Sequence, residues 1–156
     1  MLPFYSLLVI LVLSPLPFGS NRPWSWSLLC LLIALTSIGW CISLWLNEKK
    51  IRTDFNRIKV PFLLFSFTVF WAFVQTFTII PEDWGHPLWL MTGNALGVDI
   101  PPRISLEPEM TITAAMRLIS YGLVFILTMH YCRRTENVEK LFRWLAYAGF
   151  IYACFG

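Results

Sequence analysis

A run of 23 residues without a single charge, Trp24–Leu46, constrains this chain more than any other feature of its sequence. An α-helix that crosses a bilayer needs about 20 mostly apolar residues, and this run is long enough. Trp24 and Trp26 at its start and Trp45 at its end suit the two membrane interfaces, where indole rings concentrate. The run therefore predicts a transmembrane helix.

Four further apolar runs lie between short clusters of charge. The 156-residue chain is 57% hydrophobic and 13% charged, whereas a soluble domain carries about 25% charged residues. Leu2–Leu16 has no Lys or Arg before it and no small-residue cleavage pattern after it, which favours an uncleaved helix over a signal peptide. We therefore predict an all-α fold, a polytopic transmembrane helix bundle forming one region, 1–156. Its four complete spans cover residues 2–17, 24–46, 60–80 and 111–131, and a truncated fifth covers 144–156.

The charged residues predict which loops face the cytoplasm. Cytoplasmic loops of membrane proteins are rich in Lys and Arg. Residues 47–59 carry five basic and two acidic side chains, and residues 132–143 hold a second basic cluster. Both are predicted to be cytoplasmic, as is the amino terminus. The loop 81–110 has five acidic side chains against Arg103 alone, so it is predicted to lie outside the cytoplasm, with a short interfacial helix near 87–92.

The sequence lacks the motifs of common soluble enzymes and of nucleic-acid-binding proteins. It has no P-loop, HExxH or GxSxG motif, no paired carboxylates on a helix and no basic stripe suited to nucleic acid. The four cysteines lack metal-ligand spacing and three lie in apolar runs, so we expect neither a metal site nor a disulfide. His86 and His130 are interpreted as structural, and no cofactor is expected.

Small or polar side chains share one face in each of two predicted spans. This pattern is more typical of helix packing than of a substrate path. The residues are Thr36, Gly39 and Ser43 in the second span and Thr68, Gln75 and Thr78 in the third.

Arg117 is the strongest candidate for a ligand contact, because it lies inside the fourth apolar run, whose helix we expect to begin at Glu107-Pro108. A charge within a membrane segment is costly and needs a polar partner or cavity. Two interpretations stay open: Arg117 snorkels or pairs structurally, or it binds an anionic ligand. Arg103 and Arg22 are predicted on the same side of the membrane. Because guanidinium groups suit phosphate geometry, Arg22, Arg103 and Arg117 are the predicted substrate-binding residues for a phosphate-rich headgroup.

Two stretches of the chain resemble one family of membrane proteins. Residues 13–20, Leu-Ser-Pro-Leu-Pro-Phe-Gly-Ser, followed by Arg22-Pro23-Trp24, resemble the amino-terminal end of bacterial O-antigen ligase family proteins. In the second stretch the family often has Ser-x-Asp-Pro followed by a threonine, and here Glu107 replaces the aspartate. The order of helices and loops also resembles the first part of a family member. The second stretch comprises Ile104-Ser105-Leu106-Glu107-Pro108, Thr111, Arg117-Leu118 and Tyr121.

The resemblance implies a glycosyltransferase of the bacterial inner membrane that acts in cell-surface polysaccharide biosynthesis, such as that of lipopolysaccharide. Such enzymes move a glycan from an undecaprenyl-diphosphate carrier to an acceptor at the periplasmic face. The acceptor is lipid A core, a polysaccharide or a protein, and neither a metal nor a nucleotide sugar is implied. The catalytic residues are expected beyond Gly156. Since the last apolar run is about two-thirds of a span, we expect the chain to be the amino-terminal part of a longer protein and inactive alone.

Two other functions stay open from the residues alone. A membrane transporter, or a flippase for lipid-linked glycans, would line its path with the polar faces and bind an anion at Arg117. A non-catalytic membrane subunit would need no substrate. The absence of an inverted repeat counts against transport. A large periplasmic loop with Arg and His after Gly156 would favour the ligase, whereas a second copy of this helix pattern would favour transport.

The predicted topology can be tested by labelling single cysteines placed at Asn94 and Lys50 in a cysteine-free background. We expect a membrane-impermeant maleimide to label position 94 in intact spheroplasts and to reach position 50 only after lysis, because basic loops face the cytoplasm. Labelling of position 50 but not of position 94 in intact spheroplasts would reverse the assignment.

Overall fold

The computed structural model describes residues 2–15, 23–46 and 55–155, and this part of the chain is all-α. Six α-helices and one short 3-10 helix account for its regular structure. The predicted fold class is confirmed at this level. The helices are α1 (Leu2–Leu13), α2 (Pro23–Leu46), α3 (Phe55–Val74), α4 (Pro87–Leu96), α5 (Pro108–Tyr131) and α6 (Thr135–Phe155), with the 3-10 helix at Glu82–Trp84.

Two helices, α2 and α5, have the length and the apolar composition of a membrane span. Each has 24 residues and is therefore about 36 Å long, against about 30 Å for the hydrocarbon layer of a bilayer. Only 11% of the most apolar part of α2 and 17% of that of α5 are buried inside the protein. The core helix of a soluble protein would be mostly buried. The apolar segments of α1 and α3, Pro3–Leu13 and Ile58–Val74, are shorter than a span.

Helix α3 begins and ends earlier than the apolar run predicted. It starts at Phe55 and ends at Val74, so Pro61 lies inside the helix and not in its first turn. The end is tightened by Thr76, whose backbone N–H and hydroxyl both donate to the carbonyl of Phe73, at 2.9 and 2.7 Å. Gln75 follows the helix directly, with its amide on the carbonyl of Trp71 at 3.1 Å, whereas Thr78 lies beyond the helix end and does not share a helical face with Thr68. The hydroxyl of Thr68 is satisfied within the helix, on the carbonyl of Leu64.

Helix α6 begins at Thr135, well before the predicted start at 144, so most of the predicted basic loop is helical. The amides of Asn137 and Val138 donate to the carbonyl of Arg134, which starts the helix. The side-chain amide of Asn137 also donates to the carbonyl of Tyr131 at 2.8 Å, which covers one of the last free carbonyls of α5. Hydropathy marks where a chain is apolar, whereas these hydrogen bonds decide where the helix starts.

The described residues form two compact units, and the boundary between them falls within α5. The first unit comprises the described residues of Met1–Thr53 and Ser120–Gly156. In it, α1 packs against α2 and α6. Rings from three helices meet here: Phe4 and Tyr131 at 5.7 Å between centroids, and Trp40 and His130 at 5.1 Å. The hydroxyl of Tyr152 in α6 donates to the carbonyl of Val12 in α1. The buried apolar residues are Phe4, Leu7, Leu8, Ile10, Ile33, Leu127 and Ala148.

The second unit, Asp54–Ile119, contains α3, α4, the start of α5 and the loops that join them. Helix α4 covers the interfacial helix predicted near 87–92 and extends it to Leu96. It ends at Gly97, whose φ of 66° lies in the left-handed region and whose N–H donates to the carbonyl of Gly93. The same carbonyl accepts from the amide of Val98 at 3.1 Å. The chain thus turns back tightly over Gly93.

Gly93→Ala is expected to destabilise this turn. A Cβ at Gly93 would lie 2.9 Å from the backbone oxygen of Val98, and this atom cannot move without the turn. We expect the free energy of unfolding to fall by roughly 1–3 kcal/mol, as for other overpacked sites. Gly39→Ala in α2 is the matched control, because a Cβ there meets no atom within 4 Å. Thermal unfolding in detergent, followed by circular dichroism, compares the two. Equal midpoints for the two variants would contradict the close packing at Gly93.

Candidate functional site at the entry to helix α5

Ser105 is the centre of a hydrogen-bond network that fixes the loop before α5. Its backbone N–H donates to the carbonyl of Gln75 at 3.0 Å, just after the end of α3. Its own carbonyl accepts from Nε1 of Trp89 in α4 at 3.3 Å. Its hydroxyl lies 2.8 Å from that of Thr111 in the first turn of α5. One residue therefore joins three helices of the same unit.

Thr111 completes the network on the helix side. Its amide and its hydroxyl approach the carbonyl of Glu107 at 3.0 and 3.1 Å, which closes the first turn of α5. Pro108 occupies the first helical position, where a missing N–H costs nothing. The predicted entry of the helix at Glu107-Pro108 is confirmed. The Ser-x-Glu-Pro-x-x-Thr segment that carried the family resemblance is thus a hydrogen-bonded helix start.

His86 holds the other end of the loop. Its backbone N–H donates to the carbonyl of Arg103 at 2.9 Å, and its Nδ1 accepts from the amide of Leu88 at 3.3 Å. It is therefore the N-cap of α4, in the extended conformation that a cap requires, with Pro87 next to it at the first helical position. The ring therefore caps the first turn of α4. This agrees with the structural interpretation of His86.

An open pocket of about 430 Å³ lies beside this network. Arg103 is half-buried in it, whereas Glu107 and Glu109 are exposed. One guanidinium and two carboxylates give the lining a formal charge of −1, which the positive end of α5 offsets in part. A bare diphosphate would be repelled by the carboxylates, while a neutral ligand rich in hydroxyls could bond to all three groups. The pocket is lined by Trp89, Arg103, Glu107, Pro108, Glu109 and Met110.

The structure places the three predicted arginines differently. Arg117 is half-buried in α5, with a buried Nε, about 13 Å along the helix axis from Pro108. Within the part of the chain that the structure describes, it is not among the residues lining the pocket of Arg103. Arg22 lies outside the described residues. In the described part of the chain, Arg103 therefore lines this pocket and Arg117 does not.

The neighbours of Arg117 along one face of α5 differ in exposure. Thr113, one turn before Arg117, is half-buried like it, whereas Tyr121, one turn after it, is 61% exposed.

Among residues 2–15, 23–46 and 55–155, no group of three His, Cys, Asp or Glu side chains is placed to hold a metal ion.

Sequence reasoning missed Trp89, Glu109 and Met110 as pocket residues. Trp89 lies in the helix predicted near 87–92, but its partner Ser105 is 16 residues away along the chain. Such a contact depends on how the loop folds back and leaves no periodic signal. The available signal was the spacing of Ser105, Pro108 and Thr111, which is typical of a helix entry.

Comparison with family models, with curated proteins and with solved structures finds no match to this chain. What the fold defines is the class: an all-α protein with two apolar helices of membrane length. The resemblance to O-antigen ligase family proteins stays a prediction.

Thr111→Val tests whether the Ser105 network stabilises the start of α5. The variant keeps the shape of the side chain but loses the hydroxyl contacts to Ser105 and to the Glu107 carbonyl. We expect a loss of about 1 kcal/mol in unfolding free energy and faster hydrogen exchange at the first amides of α5. Thr92→Val is the control, because the Thr92 hydroxyl bonds only to Leu88 within α4 and is exposed. If both variants behave alike, the network adds nothing beyond an ordinary helical threonine.

Proposed function

We propose that the chain is a multi-pass integral protein of the bacterial inner membrane, with the amino terminus in the cytoplasm. Helices α2 and α5 are two of its four predicted spans, and the shorter helices α1 and α3 form part of the other two, 2–17 and 60–80. The support is the apolar surface that the protein itself leaves uncovered. Beyond α2 and α5, helix α3 exposes Leu63 at 67%, Phe67 at 61% and Phe70 at 64%. Side chains of this size on one helix need lipid or other helices around them.

We also propose that it forms the amino-terminal membrane portion of an O-antigen ligase-like enzyme. Such an enzyme moves a glycan from an undecaprenyl-diphosphate carrier to an acceptor at the periplasmic face. The observation that carries this proposal is the Ser105–Thr111 network beside the pocket of Arg103. The residues of the resembling segment form an ordered helix entry next to an open polar pocket, in the loop predicted to be periplasmic.

In this proposal, Arg103 and Arg117 bind different parts of the substrate. The pocket of Arg103, with its carboxylates and the fixed indole of Trp89, suits the hydroxyl-rich sugar part of the substrate. Arg117, further along α5, suits the diphosphate, because its guanidinium can bind two phosphate oxygens at once. In the transfer, an acceptor hydroxyl attacks the anomeric carbon, the bond from that carbon to the diphosphate oxygen breaks, and the hydroxyl proton is released to water. A cation near the diphosphate stabilises the charge that leaves.

The Arg117 variants test this role in the full-length enzyme, produced in the source cell at matched protein levels. If Arg117 clamps the diphosphate, Arg117→Ala should abolish most glycan transfer. Arg117→Lys should also transfer poorly, because an ammonium group cannot reproduce the two-pronged contact. Lys59→Ala, which removes an exposed base from α3, is the control and should keep normal transfer.

Near-normal transfer by both Arg117 variants would remove this residue from the mechanism and leave it as an interfacial anchor. Binding of undecaprenyl-diphosphate by the variants separates a lost clamp from a lost structural contact, since only the clamp changes carrier affinity directly. A block in movement of the carrier-linked glycan across the membrane, with transfer itself intact, would replace the ligase with a flippase.

A further inference from the structure

Helix α6 carries an exposed stripe of mixed chemistry that the proposed glycan transfer does not use. Its residues recur at helical spacing, so they share one face of the helix. All of them are exposed, with Trp144 at 52%, Tyr147 at 60% and Ile151 at 50%. We name this set the α6 stripe: Lys140, Arg143, Trp144, Tyr147 and Ile151.

The chemistry of the α6 stripe changes in order along the helix axis. Two bases come first, then two aromatic side chains with polar atoms, and then an aliphatic side chain. A bilayer has the same order from outside to inside: charged headgroups, an interface that attracts Trp and Tyr, and hydrocarbon. An exposed protein-binding face has no reason to follow this order.

Contacts with neighbouring helices fix how the α6 stripe is oriented. Asn137 holds the first turn of α6 to the last carbonyls of α5, so the bases stay near the level at which this apolar helix ends. Ala148 is buried and Tyr152 bonds to Val12 of α1, so the side of α6 that these two residues share packs against the protein. The α6 stripe lies beside this packed side and is exposed along its whole length.

The charge around the stripe is positive. Arg133 and Arg134, in the turn between α5 and α6, are exposed, and they add to Lys140 and Arg143. Against these four bases stand Glu136 and Glu139, so the segment carries a formal charge of four minus two, or +2. Clusters of bases next to a membrane helix attract anionic lipids.

We propose that the α6 stripe and the neighbouring Arg133 and Arg134 bind the headgroup phosphate of an anionic phospholipid on the side predicted to be cytoplasmic. Lys140 and Arg143 contact the phosphate, Trp144 and Tyr147 lie at the interface, and Ile151 contacts the acyl chain. The inference rests on the membrane placement proposed above and is independent of glycan transfer.

Native mass spectrometry of the full chain tests this directly. The protein is reconstituted in equimolar phosphatidylglycerol and phosphatidylcholine and released in detergent, and the retained lipids are counted. We expect phosphatidylglycerol to be retained preferentially, and the preference to fall as salt rises, because exposed charges are screened. In the double variant Lys140→Gln/Arg143→Gln, the preference should fall by up to about 25-fold, since each base near an anionic surface contributes about fivefold.

The matched control removes two negative charges from the same helix: Glu136→Gln/Glu139→Gln should keep or raise the preference for phosphatidylglycerol. The charge-conserving pair Lys140→Arg/Arg143→Lys should keep the preference of the wild type. Equal retention of both lipids by the wild type, or an unchanged preference in Lys140→Gln/Arg143→Gln, would overturn the proposal. Should the double variant fail to fold, the single variants Lys140→Gln and Arg143→Gln decide the question, because each should lower the preference by about fivefold. Extraction of the chain by alkaline carbonate would instead refute the membrane placement itself.

Discussion

The apolar surface of α2 and α5 is the constraint on which the rest of this structure depends. Each of these two helices has 24 residues, and the protein buries only 11% and 17% of their most apolar parts. In water this surface would drive aggregation, whereas in a bilayer it is the favourable state. An α-helix satisfies its own backbone hydrogen bonds, which is why a chain of this composition forms helices and no other regular structure among its described residues.

The polar contacts of this structure are concentrated at the ends of its apolar helices. The Ser105 network joins the end of α3, helix α4 and the start of α5 through three hydrogen bonds, and the pocket of Arg103 opens next to it. At the other end of α5, the side chain of Asn137 donates to the carbonyl of Tyr131, and exposed bases lie around the start of α6. Both regions place polar groups at the ends of an apolar helix, where they can meet both water and lipid headgroups.

The sequence predicted those features that depend on local chemistry. The bounds of α2 agree almost to the residue, because charges and prolines mark the ends of its apolar run. The start of α5 at Pro108 could be predicted from the preference of proline for a first helical position. The end of α3 could not, because it is set by the hydroxyl and amide of Thr76 on one carbonyl, while the apolar residues continue past it. The early start of α6 was missed because its first two turns are charged, and hydropathy detects only apolar segments.

The candidate site was predicted only in part for the same reason. Arg103 and Arg117 were found by their charge, but the contact of Trp89 with Ser105 depends on a loop that folds back over 16 residues. The central claim, that the uncovered faces contact lipid, is tested most directly with single spin labels at Ile38 in α2 and Phe125 in α5. Both are more than half exposed, and buried Ala148 serves as reference. If these faces contact lipid, lipid-soluble oxygen will relax the labels at 38 and 125 more strongly than a water-soluble nickel complex does. Stronger relaxation by the nickel complex at both positions would contradict it.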